Sequence, residues 1–191
     1  MNSEKLKFID SLTIRPSADA DIGAIQAIYA LAVQQGTGTF ETETPSLEEM
    51  GRRRAEVLGR KLPWLVAEAD GRVLGYAYAN YFRPRLAYRF CVEDSIYLHP
   101  DVHGMGLGKL LLAELIARCE QQGARQMLAV IGDADNQGSI GIHRSLGFQH
   151  TGVLKSAGWK FGRWLDVVMM QRELGKGDQN SPEADPQGSP A

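Results

Sequence analysis

A chain of 191 residues, 43% hydrophobic and 23% charged, is long enough for one ordinary globular domain with a sizeable core. Its net charge of −2 gives no electrostatic reason to expect nucleic acid or an anionic membrane as partner. Cys91 and Cys119 form no C-x-x-C motif, the N-terminus lacks the apolar core of a signal peptide, and no apolar run could span a bilayer, so a reduced, cytoplasmic setting is expected.

Residues 1–11 read as a flexible leader, with Leu12 to Arg15 as the first strand. Ser17 is a candidate cap for a helix whose apolar stripe runs through Ile22, Ile25, Ile28, Tyr29 and Ala32. Gly36-Thr37-Gly38-Thr39 breaks it, and Ser46 with Glu49 makes a capping box for a second, more charged helix ending near Gly59. Trp64 to Ala69 and Val73 to Tyr81 flank Asp70-Gly71, a two-residue hairpin signal. Arg83-Pro84-Arg85 is a loop, and Phe90 to Leu98 the next strand. After a long helix comes a strand from Gln126 to Ile131, then a short helix opened by Asn136 or Ser139 and ended by Gly147. Val153-Leu154 and Leu165 to Met170 are the last strands, with Lys155 to Trp164 expected as their connection. Residues 175–191 contain no large apolar side chain and are expected to form a disordered tail, leaving 12–174 as the folded domain. The order β-α-α-β-β-β-α-β-α-β-β specifies an α/β fold with a mixed sheet.

The stretch from Ser95 to Leu111 is the most informative. An apolar strand stops at His99-Pro100-Asp101, three alternate glycines follow (Gly104, Gly106, Gly108), and Lys109 enters a helix with the core stripe Leu111, Leu115 and Cys119. A glycine loop between strand and helix entry is an anion site, because amide hydrogens converge there and the helix dipole favours phosphate. A Walker loop fails, with His103 where its first glycine belongs and Leu110 where Ser or Thr should follow the lysine. The dinucleotide fingerprint fails as well, at Lys109 and for want of a carboxylate near Gln126.

His103-Gly104-Met105-Gly106-Leu107-Gly108 instead resembles the R/Q-x-x-G-x-G/A loop of the GNAT N-acetyltransferases, with His103 in place of the usual Arg or Gln. Thr13-Ile14-Arg15-Pro16, Gly38-Thr39-Phe40-Glu41, Phe82-Arg83-Pro84, Val92-Glu93-Asp94-Ser95, Leu146-Gly147-Phe148 and Lys160-Phe161-Gly162-Arg163-Trp164-Leu165-Asp166 follow in register. Together they are similar to the phosphinothricin and methionine sulfoximine acetyltransferase branch, from about Leu12 to Leu174. The resemblance implies a GNAT fold: a mixed, mostly antiparallel sheet with splayed central strands and helices on both faces. It implies acetyl-CoA as co-substrate, with its pyrophosphate on Gly104, Met105, Gly106, Leu107, Gly108 and Lys109. The thioester would lie against the backbone of Ile96, Tyr97 and Leu98, where a bulge would free an N–H. It also implies a homodimer.

Acetyl transfer to an amine needs a neutral amine, a positioned thioester, a donor for the developing oxyanion and a proton source for the thiolate. Glu93, beside the like charge of Asp94, suits a general base acting directly or through water, and is otherwise a strand-end charge. His143 stands where many family members carry an acidic Tyr; it either donates a proton or hydrogen-bonds within a helix–sheet interface. Asn136 either holds pantetheine amides or caps its helix. Arg83 is a candidate carboxylate clamp, or solvated loop charge. Tyr81, Phe82, Phe90, Cys91 and Val92 would line the acceptor pocket by resemblance, with Phe40 and Glu41 closing it. Nothing beside Cys91 supplies a base for an acyl-cysteine route, and His99 and His150 lack ligand spacing, so no metal is expected. The reading is transfer of an acetyl group to a small amino acid or analogue. Its rivals are a protein N-terminus or polyamine acetyltransferase and a non-catalytic acyl-CoA sensor.

Overall fold

The computed structural model describes residues 11–182. Its elements follow the expected order: β1 (Thr13–Pro16), α1 (Ile22–Gln35), α2 (Leu47–Gly59), β2 (Trp64–Ala69), β3 (Arg72–Tyr81), β4 (Cys91–Leu98), α3 (Leu107–Gln121), β5 (Gln126–Gly132), α4 (Gln137–Ser145), β6 (Gln149–Lys160) and β7 (Arg163–Glu173). Seven strands form one sheet in the order β1-β2-β3-β4-β5-β7-β6, antiparallel everywhere except between β4 and β5. This is the mixed, mostly antiparallel α/β sheet expected.

The two faces of β4 show how the layers sit. Tyr97 meets Tyr29 of α1 edge-on, with ring centroids 4.9 Å apart. Leu98 and Ile96 point the other way, onto Gly108 of α3. Helices α1 and α2 therefore cover one face and α3 and α4 the other, the period-2 alternation of a strand buried on both sides. Gly108 is required for close packing: a Cβ there would stand 2.9 Å from Ile142 and 3.2 Å from Leu98. The fully buried Leu107, Leu111, Leu112, Leu115 and Cys119 make α3 the centre of its layer.

The turns obey local chemistry. Asp70 (φ 51°) and Gly71 (φ 73°) give both central residues of the β2–β3 hairpin the positive φ of a type I′ turn. Ser46 Oγ accepts the Glu49 N–H at 3.1 Å, but Glu49 turns its carboxylate to Arg52 and Arg53, so only half of the expected capping box forms. Ser17 does not cap α1. Its Oγ accepts Arg54 Nε at 2.7 Å, while Asp21 accepts the Ala18 N–H and pairs with Arg15.

The largest difference from expectation lies in the last two strands. Lys155 to Trp164 is not a connection; β6 and β7 run on as a long hairpin that turns at Phe161 (φ 52°) and Gly162 (φ 72°). Ser156, with φ 49°, sits in an irregularity between Leu154 and Gly158. Asp166 stabilises that irregularity by accepting both the Ser156 N–H and Lys155 Nζ. Beyond Leu174 the chain is tied back to the body, Arg125 Nη1 donating to Gly177 O and Asn180 Oδ1. The leader up to Asp10 and the tail beyond residue 182 lie outside the described residues.

Candidate active site

The site begins as a geometric consequence of β4. Its parallel pairing with β5 extends only from Cys91–Gln126 to Asp94–Ala129. Past that point the strands splay, and a cavity of about 840 Å³ opens between Ser95–Leu98 on one side and Val130–Gly132 on the other. The ladder with β3 decides which backbone groups face it. Phe82 N donates to Cys91 O and His99 N to Leu74 O, so odd-numbered β4 residues bond to β3. The amide edges of Ile96 and Leu98 consequently face the gap. No bulge is needed to free an N–H here: the β3–β4 register is unbroken from Tyr81–Val92 to Gly75–Leu98, and the splay itself exposes the N–H groups.

At one mouth of the cavity lies the glycine loop. Gly104 (φ 76°) and Gly106 (φ 94°) occupy the left-handed region, which a β-branched or bulky side chain would strain. Gly106 is the N-cap of α3 and supplies no side-chain cap, so the first-turn amides are not covered by a capping side chain. Gly104, Gly106 and Lys109 are exposed, Met105 is half-buried, and Leu107 and Gly108 are buried beneath them. The loop thus presents backbone, dipole and one cation, while its third glycine serves packing. His103 borders the cavity beside Gly104.

Glu93 and Asp94 are neighbours in sequence but lie on opposite faces of the sheet. Glu93 borders the cavity, and burial pushes its carboxyl above the usual range; the charge of Asp94 adds to this and Arg83 opposes it. Asp94 faces α4, where its Oδ2 lies 3.0 Å from His143 Nε2, both side chains only 2% exposed. His143 Nδ1 donates to Ser139 O at 2.7 Å. With Nδ1 committed as donor, Nε2 can donate to Asp94 only in the imidazolium form, the form that the charge of Asp94 favours. Burial alone would lower the His143 pKa, but hydrogen bonding and charge from Asp94 outweigh it, and the net shift is upward. The ring packs edge-on against Phe148 and also borders the cavity. Asn136 does cap α4, its Oδ1 accepting Ser139 N–H at 3.2 Å, and its amide nitrogen stands against Gly38 at the cavity.

The residues expected at the acceptor end are less concentrated. Val92 packs in the core at 1% exposure, not in the cavity wall. Tyr81, Phe82, Phe90 and Cys91 are half-buried at the far end of the β3–β4 pair and do not border the cavity. Arg83 is exposed, its guanidinium 4.6 Å from the Phe82 ring centroid, yet its charge reaches Glu93. Cys91 has its thiol pushed up to about 11, by burial first and by Glu93 second, which disfavours the nucleophilic thiolate.

Three further contributors complete the site, and only the second of them was signalled in the sequence. Tyr78 and Ser95, opposite each other across β3 and β4, hydrogen-bond beside Glu93 in the cavity wall. The connector after α1 brings Gly36, Gly38, Thr39 and Phe40 to the same wall. Lys160 holds that connector from behind. The family resemblance carried by Gly38-Thr39-Phe40-Glu41 pointed to the second, but no local signal joins Lys160 to a loop more than a hundred residues away.

A model of the acetyltransferase (GNAT) family matches residues 25–148. Phosphinothricin N-acetyltransferase of Alcaligenes faecalis is 54% identical over 171 residues, 90% of this chain and 87% of that one. L-methionine sulfoximine/L-methionine sulfone acetyltransferase of Pseudomonas paraeruginosa is 43% identical over 168 residues, covering 86% and 95%. Among solved structures, a phosphinothricin acetyltransferase from Sinorhizobium meliloti in complex with AcCoA superposes with a TM-score of 0.88 at 48% identity, covering 90% of this chain and 93% of the other. A ribosomal-protein-alanine N-acetyltransferase from Brucella melitensis gives 0.83 at 39%, covering 85% and 99%.

Proposed function

Because the chain belongs to the acetyltransferase (GNAT) family and is an acetyl-CoA-dependent N-acetyltransferase, we propose that its acceptor is the α-amine of a small amino acid or analogue of the methionine sulfone, methionine sulfoximine or phosphinothricin kind. The reading rests on one observation: β4 parts from β5 directly after Glu93-Asp94, so a half-buried carboxylate and two unpaired strand edges open into one cavity.

Bound acetyl-CoA supplies the thioester that is attacked in a ternary complex. The residues present fit it. Backbone amides of Gly104–Gly108 and the start of α3, with Lys109, would receive its pyrophosphate. The amide edges of Ile96 and Leu98 would pair with the pantetheine arm as a strand pairs with a sheet edge, with an N–H in place to polarise the thioester carbonyl. The Asn136 amide nitrogen adds a further donor. Glu93 takes the proton of the acceptor amine, directly or through water, and its raised pKa brings it nearer the operating pH of a general base. His143, kept protonated by Asp94, is the proposed proton donor to the departing thiolate, with one of its two hydrogen bonds exchanged in that step. Arg83, at the outer end of the same strand pair, attracts the acceptor carboxylate.

We further propose a homodimer in a cytoplasmic setting. Exposed Trp159, Phe161 and Trp164 form apolar surface that such association would cover, and two free thiols fit a reducing compartment. Among the described residues no helix is long and apolar enough to cross a membrane. Thiol release measured across an amine panel tests the function. Turnover with methionine sulfone, methionine sulfoximine or phosphinothricin is expected. Turnover confined to peptides with a free N-terminal alanine would favour the second reading, which the Brucella structure motivates; no thiol release with any amine would leave an acyl-CoA sensor.

A further inference from the structure

Lys160-Phe161-Gly162-Arg163 stands out in the sequence, yet the proposed chemistry leaves it without a role. In the structure it closes on the connector between α1 and α2 from behind the cavity. Lys160 is 4% exposed, and its ammonium donates to Gly36 O and Thr39 O, both at 2.8 Å. Thr39 Oγ1 is in turn 2.8 Å from the buried Tyr29 hydroxyl. Phe40 sits where two strands have no side chain. A Cβ on Gly158 of β6 would fall 2.2 Å from its ring, and one on Gly132 of β5 would fall 2.8 Å from the ring and 2.3 Å from Thr37 O. Arg163 pairs with Asp133 at 2.6 Å, and Asp133 hydrogen-bonds Thr37.

Residues 36–46 contain no helix or strand, so the local backbone ladder does not fix their path. What fixes it near the cavity is this set of contacts. A carbonyl pair facing inward needs donors, and leaving both unmet in a buried place is costly. One ammonium with three donors meets both from a single point. Burial lowers the Lys160 pKa and the charge of Glu41 opposes this, so the cation is held at some cost in desolvation. A cost of this kind is unusual for mere packing, which an apolar side chain would serve without it.

We infer that Lys160 is a positioning residue for the acceptor. Acting through the carbonyls of Gly36 and Thr39, it fixes the wall formed by Gly38, Thr39 and Phe40, while Gly158 is the socket that sets the depth of the Phe40 ring. The inference rests on the proposed function: Glu93 borders the same cavity as Gly38, Thr39 and Phe40, so an acceptor that gives its proton to Glu93 lies in reach of that wall. Most of the acetyl-CoA contacts proposed above, to β4, the glycine loop and α3, lie away from the connector; only the Asn136 amide nitrogen stands against it, beside Gly38.

The test uses Lys160→Met, Lys160→Arg and Gly158→Ala in the full chain. For the best acceptor of the panel, Lys160→Met and Gly158→Ala are expected to raise KM about tenfold or more, as small misplacements of a positioned reactant do. Acetyl-CoA affinity by calorimetry should stay within about twofold. Lys160→Arg should restore part of the loss, because a guanidinium can donate to both carbonyls. Amide hydrogen exchange of residues 36–40 needs no acceptor. It should quicken in Lys160→Met while the amides of α3 are unchanged. Unchanged acceptor KM in Gly158→Ala and Lys160→Met, a parallel fall in acetyl-CoA affinity, or unchanged exchange at 36–40 overturns the inference. Failure of the wild type to acetylate any amino acid counts against the proposed function, and the exchange measurement still decides whether the clamp exists.

Discussion

Replacing Asp94 by Asn makes a sharp test of the buried pair, because the substitution preserves shape and removes charge. In the wild type His143 donates from Nδ1 to Ser139 O and from Nε2 to Asp94 Oδ2. An Asn at 94 can still meet the ring, by donating its amide N–H to a neutral Nε2. What is lost is a charge-assisted bond between groups only 2% exposed, too buried for salt to screen much. Such a bond contributes about 1.5–3 kcal/mol. The pH dependence then follows from sign. The His143 pKa is raised in the folded state. Its contribution is fully present below the unfolded value of about 6.5 and lost as pH rises through the folded pKa. In Asp94→Asn burial, the largest influence on the ring, is opposed only by the Ser139 carbonyl and lowers the pKa, so the variant instead loses stability as pH falls below about 6.5. The difference between the two proteins should therefore be large near pH 6 and shrink toward pH 9, by about 1.4 kcal/mol per unit of pKa separating them. Urea unfolding followed by circular dichroism across that range measures it. A difference that is flat with pH, or an Asn variant more stable than wild type near pH 6, refutes the ion pair.

Gly106→Asp puts a negative charge at the N-cap of α3, and Asp tolerates positive φ better than most residues, so the fold should persist while acetyl-CoA affinity falls by about 100-fold or more in calorimetry. Glu93→Gln should lower kcat about 100-fold with little change in acetyl-CoA affinity. The acid limb of the wild-type kcat/KM profile should lie above the ordinary carboxylate range, because the Glu93 pKa is raised, and should vanish in the variant. Arg83→Ala and Arg83→Lys should each lower kcat/KM on free amino acids about tenfold, a modest effect for an exposed guanidinium, with acetyl-CoA KM unchanged. Esterified acceptors should be poor for the wild type and indifferent to the substitution.

What was legible in the sequence was what local chemistry encodes. The turn at Asp70-Gly71, the cap at Asn136, the glycine loop and the stripe of α3 each announce themselves within a few residues. The β6–β7 hairpin was missed for the same reason. Ser156 and Gly158 are poor strand formers, and the Asp166 carboxylate that holds Ser156 lies ten residues away. Val92 is expected in the acceptor wall only by family resemblance, and alternation turns it into the core. The partner of His143 was equally hidden, because nothing in the chain between Asp94 and His143 marks their meeting. Both alternatives weighed for Asn136 are compatible in the structure, since its oxygen caps the helix while its nitrogen faces the cavity.

The unit from which the site is built is β4, and the period of a strand explains its division of labour. Successive residues face opposite sides, so Glu93 borders the cavity from one face while Asp94 is turned toward α4 and His143. Two carboxylates adjacent in sequence are thereby given different environments, Glu93 half-buried at the cavity with its pKa raised and Asp94 buried against the His143 ring. Two residues later the same alternation aims the amide edges of Ile96 and Leu98 into the gap, at the point where β5 has left. Had β5 stayed paired to the end of β4, those edges would be ladder bonds and the cavity a closed core. In the proposed mechanism the splay therefore converts an ordinary buried strand into a row of base, carbonyl-polarising donor and cofactor-pairing edge. It also explains why the remaining determinants, the connector held by Lys160 and the rim arginine, come from parts of the chain that β4 does not reach.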